Sequence, residues 1–119
     1  MKSFGASLDT VLTSKGITSK NVAQKFSFNS SSTAAKDIFS NDDINTVFIA
    51  TPHNSHADYV IQSLEAGKNV FVEKPLAMND DQLDEVKNTY KKTQTQLMVG
   101  FNRRFAPVSL AIKKEFENT

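Results

Sequence analysis

Lys74 is the residue whose type and position point most directly to chemistry. It follows an apolar run at residues 70–72 and Glu73, so the sequence predicts it at the carboxyl end of a buried strand. Pro75 comes next and favours an extended Lys74, and it also allows a cis peptide bond that would fix where Lys74 points. A lysine at the rim of a cleft can bind a substrate hydroxyl or carry its proton. Residue types alone favour a simpler alternative, a surface ion pair between Lys74 and Glu73 or another nearby carboxylate.

A second set of polar side chains, Asn102, Arg103 and Arg104, follows another apolar run. An arginine in a cleft binds a carboxylate or a phosphate through two parallel hydrogen bonds. The spacing alone favours a solvated basic turn over such a site.

The segment at residues 51–56 also follows an apolar run, and it opens a helical pattern. Backbone N–H groups at a helix start can bind an anion or a ribose. His53 and His56 have a spacing that suggests a metal site, but no third ligand can be named. We therefore expect His56 to pack or hydrogen-bond locally.

The elements that position these residues alternate between strand and helix patterns. Continuous apolar runs at residues 47–50, 70–72 and 97–99 predict strands that are buried on both faces. Helical periodicity predicts helices over residues 55–66 and 80–92. The predicted end signals are an N-cap at Asn54 or Ser55, a left-handed Gly67, and an N-cap at Asn79.

The flanking parts of the chain carry weaker patterns. Upstream, they predict a strand over residues 6–12, a helix over 19–26, a short edge strand over 28–32 and a helix over 33–39. Downstream, a helix over residues 107–117 begins at Pro107, where proline is tolerated. Its predicted inward face comprises Val108, Ala111, Ile112 and Phe116.

Strands and helices in alternation predict βαβ units and a doubly wound, parallel α/β sheet. Ligands of such sheets bind beyond the carboxyl ends of the strands. The candidate site therefore comprises the segments at residues 51–54, 73–76 and 100–104.

Composition narrows the possible functions. The chain has 119 residues, which suits one domain, and its net charge of +1 predicts neither nucleic acid nor a membrane surface as a partner. It has no cysteine, so disulfides and thiol chemistry are excluded. We expect a cytoplasmic protein, because no signal peptide or spanning segment is visible in the sequence. The four glycines are isolated, so the sequence holds no glycine-rich phosphate loop.

Taken together, three segments resemble the Gfo/Idh/MocA family of NAD(P)-dependent sugar oxidoreductases. They are residues 45–52 followed by His56, residues 66–77 with the Glu-Lys-Pro sequence at 73–75, and residues 99–105. The resemblance implies that Lys74 is the catalytic lysine, near the nicotinamide and the substrate. The cofactor-binding residues that it implies are Thr51, Pro52, Asn54, His56, Glu73, Pro75, Asn102 and Arg103.

The same resemblance leaves the choice between NAD and NADP open. Thr13 and Ser14 would lie where the adenosine ribose is bound, and no acidic residue stands there. Because the glycine-rich loop is missing, cofactor binding is expected to be weak or lost.

Compared with the family pattern, residues 1–119 form a partial NAD(P)-binding Rossmann domain. The first strand, the glycine-rich loop and the first helix are lacking, and the second, substrate-binding domain is absent. Without its first strand, the sheet would have a gap with two unpaired edges. We expect repair by one of two routes, either a shift of the strand over residues 6–12 into the gap or pairing with a second copy in a homo-oligomer.

Two functional hypotheses follow. In the first, the chain belongs to an oxidoreductase that transfers a hydride between NAD(P) and a sugar or polyol hydroxyl, with little or no turnover from this chain alone. In the alternative, it is a catalytically inactive remnant or an oligomerising interaction module. A receiver-like signalling module also fits the βαβ pattern, but the chain lacks a clustered acidic pocket after its first strand.

Overall fold

The computed structural model describes residues 5–117 and confirms the alternation of parallel strands and helices. Two short 3-10 turns, His53–Ser55 and Asn102–Phe105, precede the third and fifth helices. In chain order, the elements are β1 (Thr10–Leu12), α1 (Gly16–Phe26), β2 (Ser30–Ser32), α2 (Lys36–Phe39), β3 (Thr46–Ile49), α3 (His56–Glu65), β4 (Asn69–Glu73), α4 (Asp80–Lys92), β5 (Leu97–Gly100) and α5 (Pro107–Glu117).

The chain divides into two compact units, Met1–Asn45 and Thr46–Thr119. In the first unit, β1 and β2 form a two-stranded parallel sheet in which Thr10 pairs with Ser30 and Leu12 with Ser32. The helix α1 makes the crossover between them, and its C-cap, Ser27, has a left-handed conformation with φ of 59°. This βαβ unit has the connection expected for parallel neighbours.

The strand predicted over residues 6–12 forms at Thr10–Leu12 and pairs with β2. The shift of this strand into the gap of the sheet stays a prediction. The short crossover through α1 keeps β1 beside its sequence neighbour, as consecutive strands of parallel sheets usually are. Pairing with a second copy stays a prediction.

The second unit is built on a three-stranded parallel sheet with the order β3-β4-β5. Along the register, Val47 pairs with Val70 and Ile49 with Val72, and Val72 also pairs with Val99. These side chains face the helices α3 and α4, which make the two crossovers. The buried core comprises Ile49, Ala57, Val60, Leu64, Val70, Val72 and Val86.

The ends of the two crossover helices follow local chemistry. Asn79 is the N-cap of α4, and its Oδ1 accepts a hydrogen bond of 2.9 Å from the N–H of Gln82. Gly67 follows α3 with a positive φ of 74°, a conformation that glycine adopts without steric cost. Ser55 is the N-cap of α3, one of the two predicted positions, but its side chain makes no capping hydrogen bond, and its hydroxyl donates to the Pro52 carbonyl.

The opposite face of this sheet is also apolar, but its side chains are more exposed to solvent. Phe48, Phe71 and Met98 are paired neighbours on adjacent strands, and the first two rings lie 5.1 Å apart. Phe48 is 56% exposed and Met98 58% exposed. The predicted helix α5 is confirmed, but its inward face is not: Val108 and Ile112 are also exposed.

None of the helices in residues 5–117 has the length and apolar character needed to cross a bilayer.

We expect Leu64→Ala to lower the free energy of unfolding by about 2–5 kcal/mol, because it removes buried methyl groups and leaves a cavity. Leu64 is fully buried between α3 and the sheet. Urea denaturation followed by circular dichroism would measure the change. Leu110→Ala is the matched control, because it deletes the same atoms from an exposed helical position, and an equal loss in both variants would contradict the assigned core.

Candidate active site

Three polypeptide segments meet at the carboxyl ends of β3, β4 and β5. Because the three strands are parallel and adjacent, their carboxyl ends lie along one edge of the sheet. Side-chain hydrogen bonds join the segments: His56 contacts the carbonyls of both Thr51 and Pro75, and Asn102 contacts Glu73. The structure therefore brings together the three segments that the sequence analysis singled out.

Two hydrogen bonds of Ser55 orient the Thr51 hydroxyl in the segment after β3. Ser55 Oγ lies 2.6 Å from the Pro52 carbonyl and 2.6 Å from Thr51 Oγ1. A carbonyl oxygen can only accept, so the single Ser55 proton goes to Pro52, and Thr51 must donate to Ser55. Both lone pairs of Thr51 Oγ1 remain, and they can accept hydrogen bonds from a ligand. Pro52 and Asn54 are exposed beside it.

His56, the first residue of α3, is buried, with 1% of its surface exposed. Its Nδ1 lies 2.8 Å from the Pro75 carbonyl oxygen, and its Nε2 lies 2.8 Å from the Thr51 carbonyl oxygen. The resemblance implies a cofactor contact for this residue, whereas both ring nitrogens are engaged by the protein backbone. The sequence also predicted a local hydrogen bond for His56, and that expectation is confirmed.

The two histidine rings lie close together, with their centroids 5.6 Å apart in an edge-on arrangement. Across residues 5–117, there is no group of three or more His, Cys, Asp or Glu side chains that could hold a metal ion.

Glu73 is held by a residue that follows the neighbouring strand. The Asn102 amide nitrogen donates to both carboxylate oxygens of Glu73, at 2.9 and 3.1 Å. Glu73 pairs with Gly100 in the strand register, so its side chain passes over a position that has no Cβ. A Cβ at Gly100 would lie 3.1 Å from Glu73 Oε2 and 2.9 Å from Phe71 Cζ. A glycine at this position therefore makes the contact between Glu73 and Asn102 possible.

Lys74 is exposed, and the peptide bond that joins it to Pro75 is cis. Within the described part of the chain, the structure gives no hydrogen bond or ion pair to its ammonium group. The ion pair with Glu73 that residue types favoured is not seen, because that carboxylate faces Asn102. Lys74 and Pro75 line an open cleft of about 490 Å³, together with Val99, Phe101 and residues 76–80 and 83.

The two arginines after β5 differ in their surroundings. Arg104 lies over the rings of both Phe101 and Phe105, at 5.6 Å from each centroid, and its Nε donates to the Phe101 carbonyl at 3.3 Å. These contacts hold Arg104 within its own turn. Arg103 is exposed in the same 3-10 turn, next to Asn102, and remains the candidate for contact with an anionic group.

Sequence reasoning included Gly100 and Phe101 in a candidate segment without assigning them a role, and it considered Ser55 as an N-cap, whereas all three residues shape this site. Gly100 gave a usable signal, because it is the last residue of a predicted strand and sits beside the Glu-Lys-Pro strand in the sheet. Ser55 and Phe101 gave none, because their roles depend on contacts that only the folded backbone defines.

The residues with an expected role at the adenosine ribose lie in the first unit. Thr13 follows β1, and its hydroxyl donates to the Lys15 carbonyl at 2.8 Å. Ser14 is exposed.

Comparison with known proteins places this geometry in a family. Residues 2–101 match the Gfo/Idh/MocA model, described as an oxidoreductase family with an NAD-binding Rossmann fold. Inositol 2-dehydrogenase of Rhizobium meliloti is 38% identical over 76 residues, which are 64% of this chain and 23% of that protein. Levoglucosan dehydrogenase of Pseudarthrobacter phenanthrenivorans is 36% identical over 95 residues, which are 80% of this chain and 24% of that protein.

A solved structure supports the same assignment. A levoglucosan dehydrogenase in complex with NADH and levoglucosan has a TM-score of 0.82 and 31% identity to this chain. The match covers 92% of this chain and 30% of the levoglucosan dehydrogenase chain. This chain thus spans about a quarter of the length of the curated relatives that it matches. Because the family model matches most of its length, the chain belongs to the Gfo/Idh/MocA oxidoreductase family, with its NAD-binding Rossmann fold.

Proposed function

We propose that this chain contributes the nicotinamide-binding edge of a dehydrogenase that transfers a hydride between NAD(P) and a sugar or polyol hydroxyl. The observation that carries the proposal is the Lys74 ammonium group, which is exposed at a cleft while the adjacent carboxylate is held away from it by Asn102. Relatives named for inositol and levoglucosan support the substrate class.

In this reaction, the oxidised hydroxyl loses a proton from oxygen and a hydride from its carbon. A bound nicotinamide ring supplies the hydride acceptor. As the neutral amine, Lys74 Nζ takes the hydroxyl proton in the oxidation and becomes the ammonium ion; in the reduction, the ammonium ion returns a proton to the oxygen and becomes the amine again. Glu73 does not compete for Nζ, since its two oxygens accept hydrogen bonds from Asn102.

The donor and acceptor set fits a nicotinamide cofactor. A nicotinamide nucleotide carries an amide, ribose hydroxyls and phosphates, and these groups need acceptors, donors and cations. The free lone pairs of Thr51 Oγ1 are acceptors, and the exposed Asn54 and Arg103 offer an amide and a cation. We assign Pro52, Glu73, Pro75 and Asn102 to the shape of the nicotinamide end, with Glu73 and Asn102 acting as a pair. Of the implied set, His56 is reassigned from ligand contact to positioning.

Strand edges and exposed apolar side chains favour a second candidate, an oligomerising interaction module. Among the described strands, β1, β2, β3 and β5 each have a partner on one edge alone. A second copy that pairs with these edges would complete the sheets. The exposed Phe48 and Met98 would favour such association.

Calorimetric titration with NADH and with NADPH tests the proposal and also compares the two cofactors. We expect a dissociation constant below about 1 mM, equivalent to roughly 4 kcal/mol of binding free energy, without turnover by this chain alone. Light scattering on the same sample measures the mass of the species that binds. A well-folded oligomer that binds neither cofactor would contradict the proposal and favour the interaction module.

Lys74 should be shielded by the cofactor. We expect saturating NADH to slow acetylation of Lys74, because the proposed ring position covers its ammonium group, while Lys91 at the far end of α4 reacts at an unchanged rate. Peptide mapping by mass spectrometry measures both rates in one sample. Equal rates at Lys74 with and without NADH, under conditions where calorimetry shows binding, would place the nicotinamide elsewhere.

The pair formed by Glu73 and Asn102 can be tested by exchanging the donor and acceptor. Asn102→Asp replaces the donor with a carboxylate that faces Glu73, so we expect a loss of about 1 kcal/mol of stability at this exposed site and weaker NADH binding. Glu73→Gln added to Asn102→Asp should restore both, because the glutamine amide then donates to the new carboxylate.

The matched control for this exchange is Asn88→Asp, which makes the same substitution at an exposed position of α4. Thermal denaturation and calorimetry follow all four proteins. A double variant no better than Asn102→Asp would show that the pair does not position the site.

A further inference from the structure

The cleft beside Lys74 is lined mainly by apolar side chains. Of the described residues that line it, only Lys74, Asn79 and Asp80 carry polar side chains. Asn79 Oδ1 is already engaged, because it accepts the hydrogen bond from the N–H of Gln82. Ligand pockets that combine an apolar wall with a few polar groups bind molecules that have an apolar face and polar substituents. The cleft therefore favours a ligand that presents carbon on one side and hydroxyl groups on another.

Phe101 is the aromatic residue of this lining, and it is 52% exposed. Local contacts orient it: the Arg104 guanidinium carbon lies 5.6 Å from the ring centroid, and Arg104 Nε donates to the Phe101 carbonyl at 3.3 Å. A ring that is already oriented loses little conformational freedom when a ligand packs on it. Covering the exposed part of the ring is also favourable, because aromatic side chains contribute much of their binding energy through buried area.

We propose that Phe101 is a specificity-determining residue of this site, which binds the C–H face of a cyclic polyol. The proposal rests on the proposed function, because Lys74 must reach the reacting hydroxyl of the same ligand. A cyclic polyol carries many of its carbon-bound hydrogens on the faces of its ring and many of its hydroxyl groups around the rim. The face of an aromatic ring carries partial negative charge and attracts such hydrogens, which carry partial positive charge. An open-chain polyol has no such face and gains less from Phe101.

Two polar side chains at the cleft can hold the rim of such a ligand. Lys74 directly follows β4, Asp80 is the first residue of α4, and both are exposed. An ionised carboxylate only accepts hydrogen bonds, so Asp80 binds a hydroxyl that donates to it. Lys74 then takes the reacting hydroxyl of the same ring. A ligand held at one face and at two positions on its rim has few orientations available, and these contacts together select which hydroxyl reaches Lys74.

Phe105 provides a matched comparison for Phe101. It ends the 3-10 turn that follows Phe101, it is 64% exposed, and its ring centroid also lies 5.6 Å from the Arg104 guanidinium carbon. Among the described residues, the lining of the cleft includes Phe101 but not Phe105. A contribution made by any exposed aromatic ring would be equal for the two residues, whereas a contribution made within the cleft belongs to Phe101.

Saturation-transfer NMR detects the contact, since irradiated aromatic protons of the chain pass magnetisation to a ligand that lies against them. We expect a clear signal on the C–H protons of myo-inositol and a weaker one on sorbitol, an open-chain polyol with the same number of hydroxyl groups. Titration of the amide chemical shifts in residues 74–80 gives the affinity and verifies that each variant is folded. Phe101→Leu should weaken myo-inositol binding about fivefold, whereas Phe101→Tyr and Phe105→Leu leave it unchanged.

Equal affinities in Phe101→Leu and Phe105→Leu would overturn the proposal, as would equal signals on myo-inositol and sorbitol in the unsubstituted chain, a comparison that needs no variant. Saturating NADH should leave the myo-inositol signal in place; its loss would assign the ring to the nicotinamide and also overturn the proposal.

The outcomes separate this inference from the proposed function. A chain that binds NADH but transfers no magnetisation to myo-inositol contradicts the role of Phe101 and leaves the proposed function standing. Transfer through Phe101 in a chain that binds neither NADH nor NADPH supports the role of Phe101 and contradicts the proposed function.

Discussion

Parallel pairing of β4 with both of its neighbours is the constraint on which the site depends. The pairing places the carboxyl ends of three strands along one edge, so that segments far apart in the sequence become neighbours. The register then sets which residues can meet. Glu73 lies beside Gly100, and its side chain can cross β5 to reach Asn102 since no Cβ stands in the way. A shift by one residue would put the Glu73 side chain on the opposite face.

The core beneath that edge supplies the energy that holds the register. Apolar residues of all three strands pack against α3 and α4, and the fully buried Val60, Leu64 and Val72 form its centre. Polar contacts at the edge are individually worth about 1 kcal/mol, so they cannot fix the strands by themselves. Their effect is local: once the strands are aligned, the hydrogen bonds of His56 and Asn102 select one arrangement of the connecting segments.

The sequence allowed much of this arrangement to be predicted. The helix over residues 80–92, its Asn79 cap and the left-handed Gly67 are all confirmed, because capping and turn chemistry act over a few residues. The predicted N-cap position of α3 is confirmed at Ser55, although its side chain makes no capping hydrogen bond. Of the helix predicted over residues 33–39, only the last turn, Lys36–Phe39, is confirmed. The predicted segment has no long apolar stripe to support a longer helix.

What the sequence could not provide was the identity of long-range partners. The helical pattern put His56 at the start of α3, but the pattern does not show that two backbone carbonyls converge on its ring. The inward face predicted for α5 likewise assumed a packing partner that periodicity does not specify, and Val108 and Ile112 are exposed. Periodicity reports which side chains share a face, whereas burial depends on which element lies opposite that face.

Glu73 and Lys74 show that the sequence does not identify the partners of adjacent residues either. Opposite charges on adjacent residues suggest an ion pair, yet the folded chain gives the Glu73 carboxylate a different partner. Glu73 is the last residue of β4 and is satisfied by Asn102 across the neighbouring strand, which leaves the Lys74 ammonium group without that partner. The Asn102 amide thus engages the Glu73 carboxylate, and a glycine on the adjacent strand leaves room for that contact. A lysine beside a carboxylate in the sequence can therefore remain available for a ligand, provided that the carboxylate has a better-placed donor.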